Sequence, residues 1–408
     1  MVRRAVIPAL AVLAVLGGLG MGMLLGAVSG GSTASPSPGS SGNVAGLGST
    51  PPSVPVSPEP SSSDNAQPSA SIGPSAVPQP RPTPSPNLVA DPLTGRLVTP
   101  AVARRHPIAV MIDDLSAARP QSGFNSASIV WQAPAEGGIP RYMMIFQGNV
   151  PGDVGPVRSA RYYFIAWAAE LRAMYVHSGG SPQALQTLRE QGNGQLVWNA
   201  DEFRWGGSFR RISSRFSPHN LYSTGDQLRA LARTLGAKDA PITWPWRFAR
   251  DAALGWRPVG GRIELVYGNV NRITYTYDRK SNRYLRAVTG ETRQVDAGTG
   301  RRVAPKNVVV MVVRFGPLND GHPNKKRLEA DIIGSGPAWI ATNGVTIKGT
   351  WRKTSLTGPT RFFDAAGKPV TLTVGQTFVQ VMKTTDKITF VKGKPAPPDP
   401  KPAGRFPL

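Results

Sequence analysis

Residues 107–114 read Pro-Ile-Ala-Val-Met-Ile-Asp-Asp, an apolar run that ends in two acidic residues. Similar short apolar runs follow at residues 128–132, 142–147 and 173–177. Residues 159–173 have apolar positions at helical spacing, and residues 182–191 follow Ser181 and begin with proline, which is typical of a helix start. Ser223 and Asp226 are spaced as a capping box for a further helix. Alternating strand and helix signals predict an N-terminal α/β layered domain.

The second half of the chain has a different pattern. Residues 262–267 and 272–277 alternate apolar and polar side chains, and residues 307–315 are a continuous apolar run. Asn343-Gly344, between two apolar stretches, is the strongest short signal for a β-hairpin. These signals predict a mostly antiparallel β domain, sandwich or barrel-like, so the fold class of the whole chain is α+β or α/β.

Charge separates the two regions. Residues 89–236 contain 15 Arg, no Lys and 10 acidic residues, whereas residues 237–408 contain 29 Lys and Arg against 12 acidic residues. The shift coincides with a Gly-Ala-Lys stretch at residues 236–238 that precedes two prolines, which marks a helix end. We therefore predict an N-terminal domain over 89–240, a basic C-terminal β-rich domain over 241–390, and a disordered Pro-rich tail over 391–408.

The N-terminus predicts export. Residues 1–4 are basic, and residues 5–28 carry no charge and are long enough to span a bilayer as a helix. The arginines before the span orient the rest of the chain outward. We predict an extracytoplasmic protein tethered to the cytoplasmic membrane by residues 5–28; the alternative is a signal peptide that is cleaved, so that the chain is secreted. Residues 29–88, with 37 Ser, Pro or Gly, predict a disordered linker.

The composition excludes several chemistries. The 408 residues include no Cys, which excludes disulfides, thiolate metal sites and a cysteine nucleophile. No serine-hydrolase elbow and no phosphate-binding P-loop is present, and no two of the four histidines have ligand spacing. We expect no metal site and no cofactor. The basic second region would suit polyanions, but we do not expect a nucleic-acid partner for an exported chain.

Acid–base candidates fall where the predicted strands of the first region end. Asp113 ends one apolar run, Glu136 follows the next, and His177 ends another. His219 lies in a Ser-Pro-His-Asn loop. Ligands collect at the carboxyl ends of strands in open sheets, so these four residues are the catalytic candidates.

Loop arginines are the ligand-binding candidates, because guanidinium groups form paired hydrogen bonds to carboxylate or phosphate. They are Arg119, Arg141, Arg158 and Arg161, in loops rich in Gly and Pro. Ser181, at the start of a helix whose free N–H groups can bind an anion, and Asn220, beside His219, complete the set. The alternative is that each arginine pairs with a local acid such as Asp114, Glu136 or Asp153.

These loops resemble those of the YerB-like family of bacterial extracytoplasmic lipoproteins. The resemblance lies in residues 91–95, 118–123, 133–141, 155–161, 177–183 and 218–222, and in residues 307–310, 334–336, 347–351 and 375–378 of the second region. It implies an extracytoplasmic location and two domains of unknown function. The chain departs from the family because it has no lipobox cysteine, and because Pro140 stands where a hydroxyl residue would precede Arg141.

Three functions follow as expectations. The first is a tethered module that binds an anionic envelope ligand, such as a wall polymer, a phospho-glycan or a lipid head group. The second is an envelope enzyme that acts on a phospho- or glycosyl bond with Asp, Glu and His as acid–base groups. The third is a protein-interaction scaffold with a protein partner on the basic region, which large exposed apolar patches would favour.

Overall fold

The computed structural model describes residues 87–148, 151–268 and 271–396. The predicted segments 1–4 and 5–28, residues 29–86 of the predicted linker and residues 397–408 of the predicted tail lie outside the described residues. Residues 391–396 of the predicted tail are described, and Val391 and Lys394 form β pairs with Arg262 and Val259. Within the described ranges, every helix is too short or too polar to cross a bilayer.

The described residues form four α-helices and twenty-two strands, with loops and short 3-10 helices between them. The helices are α1 (Pro100–Ala103), α2 (Tyr162–Ala169), α3 (Pro182–Gln191) and α4 (Gly225–Leu235). The strands of the first half are β1 (Val89–Ala90), β2 (Leu97–Val98), β3 (Ile108–Asp113), β4 (Ile129–Glu136), β5 (Ile139–Phe146), β6 (Met174–His177), β7 (Trp198–Asp201), β8 (Arg210–Arg211) and β9 (Leu221–Tyr222). Those of the second half are β10 (Arg247–Ala249), β11 (Arg262–Tyr267), β12 (Asn271–Asp278), β13 (Arg283–Val288), β14 (Asn307–Val313), β15 (Phe315–Pro317), β16 (Leu328–Ala330), β17 (Gly334–Thr342), β18 (Val345–Lys353), β19 (Arg361–Asp364), β20 (Thr371–Thr373), β21 (Thr377–Lys383) and β22 (Lys387–Val391).

A ten-stranded mixed sheet organises the fold, in the order β19-β18-β17-β14-β21-β4-β5-β3-β6-β7. Strand β21 joins the two halves, because it pairs in parallel with β14 on one side and with β4 on the other. The predicted boundary at residues 240 and 241 falls after α4, and strands from both sides of it share this sheet.

Both faces are buried along the central strands β3, β4, β14 and β21, which explains their continuous apolar runs. Successive residues of a strand point to opposite faces. Ala109 and Met111 of β3 pack in one core with α2 and α3. Val110 and Ile112 pack in the other core with α4.

A second sheet covers part of the latter face. It has four antiparallel strands in the order β13-β12-β11-β22. Its inward side chains alternate along β11 and β12 and contribute to the same core as α4. The Tyr267 hydroxyl donates to the Gln132 carbonyl oxygen of β4 at 3.2 Å. The fold is therefore α+β with a β-rich C-terminal part, and the predicted fold class is confirmed at that level.

A buried ion pair also connects the two halves. The Lys353 ammonium of β18 lies 2.8 Å from the carboxylate of Glu170, which caps the end of α2, and neither side chain is exposed. Thr360 donates its N–H and its hydroxyl to the same carboxylate, at 3.0 and 2.6 Å. Burial raises the pKa of Glu170 above its ordinary value, although Lys353 and Thr360 oppose the shift.

Local sequence signals match most elements, with two differences. The helix expected over 159–173 is α2, which ends at Ala169 and is buried on nearly all sides because it packs against β6 of the sheet, α3 and β16. The N-cap of α4 is Thr224, which forms a capping box with Gln227. Ser223 is held in extended pairing with Val154, so it cannot cap the helix.

Candidate functional site

The first part of the site forms around Glu136, where β4 turns into β5. Gly137 and Gly138 make the turn with φ of +61° and +78°, which favours glycine at both positions. Arg141 of β5 donates to one Glu136 oxygen at 2.6 Å, and Arg161, at the start of α2, donates to the other at 2.5 Å. One carboxylate therefore holds two guanidinium groups that the sequence separates by twenty residues.

The second part forms around Asp113, the last residue of β3. The register of the sheet pairs Asp113 with Arg141, so the two parts lie side by side on the α2 face. His219 Nδ1 lies 2.7 Å and Arg158 Nε lies 3.0 Å from the same Asp113 carboxylate oxygen. The segment carrying Arg158 runs beside the end of β3, since the Arg158 N–H donates to the Met111 carbonyl oxygen at 2.9 Å.

We name these six residues the guanidinium cluster: Asp113, Glu136, Arg141, Arg158, Arg161 and His219. Three guanidinium groups face two carboxylates, so the cluster carries one positive charge in excess with His219 neutral. The pKa of Arg141 is lowered to about 10, first by burial and next by Arg161 and Arg158, against the opposing Glu136 and Asp113. The charges of both parts therefore act on one another.

Glu136 is held as a carboxylate. Burial alone would raise its pKa, but Arg141 and Arg161 outweigh burial and lower the pKa below its ordinary value. A carboxyl group with a lowered pKa is a poor proton donor near neutral pH. Glu136 is therefore a charged carboxylate that positions Arg141 and Arg161.

Arg119 lies in a neighbouring group instead of the guanidinium cluster. Its guanidinium is 3.2 Å from Asp114 and donates to the Thr289 carbonyl oxygen at 2.7 Å. Asp114 is buried, which raises its pKa, and it accepts from Gln132 and Asn271 at 2.6 and 2.9 Å. A small cavity of about 170 Å³ lies between Arg119, Asp114, Asn271 and the start of β5.

His177, Ser181 and Asn220 have local partners of their own. His177 is fully buried, with one ring nitrogen 2.9 Å from the Gly179 carbonyl oxygen and the other 2.8 Å from the Asn199 side chain. The Ser181 hydroxyl caps α3 through the Ala184 N–H at 3.4 Å. Asn220 accepts from Arg211 at 3.1 Å. The structure does not bring these three residues into the guanidinium cluster.

Arg286 is a buried cation that the sequence reasoning missed. Its guanidinium is fully buried and donates to the Tyr275 hydroxyl at 2.9 Å, to Gln132 at 2.7 Å, and to Gln294. The signal was present in the strand pattern, because Arg286 shares the inward face of β13 with Tyr284 and Val288. It links the four-stranded sheet to β4, below the Asp114 group.

Among the described residues, no three His, Asp or Glu side chains come together as a metal site.

Comparisons with known proteins agree on one family. Residues 93–238 match the N-terminal domain, and residues 263–379 the C-terminal domain, of the family described as protein of unknown function DUF3048. YerB of Bacillus subtilis (strain 168), named as a candidate lipoprotein, is 32% identical over 307 residues, which cover 74% of this chain and 89% of that protein. The crystal structure of Bacillus subtilis YerB aligns with a TM-score of 0.65 and 28% identity, over 74% of this chain and 99% of the solved chain. The chain thus belongs to the YerB-like family of DUF3048 proteins, as the resemblance of its loops implied.

Proposed function

We propose that this chain is an extracytoplasmic envelope protein that binds an anionic group, a phosphate or carboxylate of an envelope ligand, at the guanidinium cluster. The observation that carries the proposal is the convergence of Arg141, Arg158 and Arg161 on two carboxylates, with one positive charge left over. A partly buried excess charge is stabilised by a bound anion, because water screens it less than it screens a surface charge.

Arg158 and His219 are the groups that would touch the ligand. Each side chain is 18% exposed, whereas Arg141 and Arg161 are almost fully buried. Arg158 has an ion-pair contact to Asp113, and its side chain makes no hydrogen bond to another residue that the structure describes. Its terminal N–H groups are therefore available to an anion, while Nε faces Asp113 and Arg141 and Arg161 contribute through their charge.

The envelope location draws on two sources. The relative YerB is named as a candidate lipoprotein, and the chain has an uncharged stretch at residues 5–28 but no cysteine for a lipid anchor. We propose that residues 5–28 replace the lipid as the tether to the cytoplasmic membrane, with secretion after cleavage as the alternative.

The test is the affinity of the full chain for poly(glycerol phosphate) at physiological ionic strength, measured by isothermal titration calorimetry. Arg158→Ala removes charge-assisted hydrogen bonds worth about 1.5–3 kcal/mol, so binding should weaken about 10- to 100-fold. Arg314→Ala is the matched control, because it removes one charge from a highly exposed ion pair. Equal losses in the two variants would mean that only the net charge of the chain attracts the polymer.

A second candidate function is acid–base catalysis by His219. Asp113 accepts at 2.7 Å from His219 Nδ1 and so fixes the ring, which leaves Nε2 for proton transfer beside Arg158. Catalysis predicts slow release of phosphate or sugar from an envelope polymer that His219→Gln abolishes while binding persists. Binding without turnover by the unaltered chain would rule this candidate out for that polymer.

A further inference from the structure

The β-rich half carries an apolar cleft, and none of its lining residues belongs to the guanidinium cluster. It has a volume of about 500 Å³, and its walls include the rings of Tyr277, Tyr284, Trp339 and Phe390. The two tyrosine hydroxyls already have partners, Asn282 at 2.7 Å and the Gly344 N–H at 3.0 Å. The cleft therefore presents ring surface more than hydroxyl groups, which suits an apolar occupant. We name the cleft lined by Tyr277, Tyr284, Trp339 and Phe390 the aromatic cleft.

Exposed apolar side chains line the aromatic cleft or lie in the chain segment beside it: Val345 and Val391 line it, and Leu254, Trp256 and Val259 are close in sequence to its lining residue Pro258. Eleven large hydrophobic residues are exposed in the described chain, and five of them line the cleft or precede and follow its lining residue Pro258. These five, which we name the apolar rim, are Leu254, Trp256, Val259, Val345 and Val391. A local concentration of exposed apolar residues suits an interaction surface, whereas single exposed hydrophobic residues need no explanation.

Trp256 is the most exposed member of the apolar rim, at 83%. Two arginines stabilise its loop. Arg257 donates to the Ala252 carbonyl oxygen at 2.7 Å, and Arg279 donates to the Leu254 carbonyl oxygen at 2.7 Å. The Ala252 N–H donates to Asn343 at 3.1 Å, which fixes the loop beside the β17–β18 turn. The exposed indole is thus presented by an ordered loop.

Positive charge accompanies the apolar rim. Lys392 lines the cleft, Lys348 is the register partner of Trp339, and Lys394 pairs with Val259. All three lysines are exposed. Arg262 also lines the cleft and is paired with Glu264 at 2.6 Å. Exposed apolar side chains with lysines nearby are complementary to the head-group region of an anionic membrane, where tryptophan is also favoured.

We propose that this face docks on an anionic lipid bilayer, with Trp256 and the rest of the apolar rim in the head-group region and Lys348, Lys392 and Lys394 against the phosphates. The aromatic cleft then opens toward the lipid and can accept an acyl chain. This docking does not depend on the guanidinium cluster and adds a second membrane contact to the predicted tether.

The absence of cysteine from the chain makes a direct test possible. Trp256→Cys in the full chain takes a single environment-sensitive dye, and Phe203→Cys is the matched control, because Phe203 is 78% exposed and lies in the first half of the chain. Each labelled chain is mixed with vesicles of equimolar phosphatidylglycerol and phosphatidylcholine, or of phosphatidylcholine alone. Quenching by neutral acrylamide reports whether the dye is covered.

Docking predicts a blue shift and several-fold weaker quenching for the dye at position 256 in anionic vesicles only, with no change at position 203. Lys392→Ala in the Trp256→Cys background should weaken docking about fivefold, the contribution of one basic residue near an anionic surface. Equal quenching at both positions in anionic vesicles overturns the proposal. So does equal protection at position 256 in neutral vesicles, or protection without vesicles, which would indicate a second copy of the chain on this face.

Discussion

Replacing Lys353 by Met should destabilise the fold strongly, because it breaks the buried ion pair between α2 and β18. Both Lys353 and Glu170 are fully buried, at 2.8 Å from one another. Removing one member of a buried pair costs about 3–5 kcal/mol, since the other charge stays buried without compensation. Lys348→Met, an exposed lysine of the same strand, should cost less than about 0.5 kcal/mol.

The loss should also depend on pH in one direction. Burial already raises the pKa of Glu170 with Lys353 present, and the variant removes the cation that opposes this shift. A carboxyl group whose folded pKa lies above its unfolded value stabilises the fold at low pH and loses that contribution as pH rises through the folded pKa. The cost of Lys353→Met should therefore be smallest near about pH 4 and grow toward neutral pH.

Urea unfolding followed by circular dichroism, across that pH range, measures both effects. Adding Glu170→Gln to Lys353→Met should recover part of the stability at neutral pH, because the amide is neutral and can still accept from Thr360. A loss equal to that of Lys348→Met, or one that does not change with pH, would refute the reasoning that this pair connects the two halves of the chain.

Two further predictions concern Glu136 and Gly344. Glu136→Gln should destabilise the fold by about 1–3 kcal/mol, because Arg141 and Arg161 would lose their shared carboxylate. Because the pKa of Glu136 is lowered, the unaltered chain should lose this contribution to stability as the pH falls below about 4. The variant lacks that contribution, so the difference between the two urea midpoints should be larger at neutral than at acidic pH. In thermal denaturation, Gly344→Ala should lower stability clearly more than Gly290→Ala. Both glycines have positive φ, +77° and +82°, so alanine at either position costs about 1–2 kcal/mol of backbone strain. Only at Gly344 would the added methyl group also meet the Tyr277 ring.

Local elements of the fold could be predicted where short-range chemistry decides the structure. The Asn343-Gly344 turn was expected from the sequence, and both residues have the positive φ that a two-residue hairpin requires. Ser181 and Pro182 begin α3 as expected. The N-cap of α4 differs by one residue, because the pairing of Ser223 with Val154 is a long-range contact that spacing does not reveal.

Local sequence patterns could not predict that strands of the two halves share one sheet. Strand β21 lies between β4 and β14 in parallel register, and a parallel pair is set by contacts between residues far apart in the chain. The regions before and after residue 237 do differ in charge, yet strands from both regions belong to the same sheet. Composition reports the surface of a region and says little about which strands pair.

For the candidate site, the sequence indicated which residue types matter but not how they are grouped. The four loop arginines are predicted either to converge or to form separate ion pairs. In the structure Arg141 and Arg161 share Glu136 and Arg158 contacts the adjacent Asp113, whereas Arg119 forms a separate pair with Asp114. His177 ends its strand as expected, but its ring is hydrogen-bonded to Gly179 of the following loop and to Asn199 of the neighbouring strand β7. The direction of a side chain at a strand end depends on packing that a single sequence does not display.

The central claim, that an anion binds at the guanidinium cluster, is tested most directly by the ring resonances of the four histidines in NMR spectra. Poly(glycerol phosphate) is titrated into the full chain at physiological ionic strength. His219 lies in the cluster, whereas His106 and His322 lie in other parts of the structure. Specific binding predicts a saturable shift of His219 that Arg158→Ala removes, with His106 and His322 unmoved. Equal shifts of the three histidines, or none at His219 while polymer binds, would contradict the account.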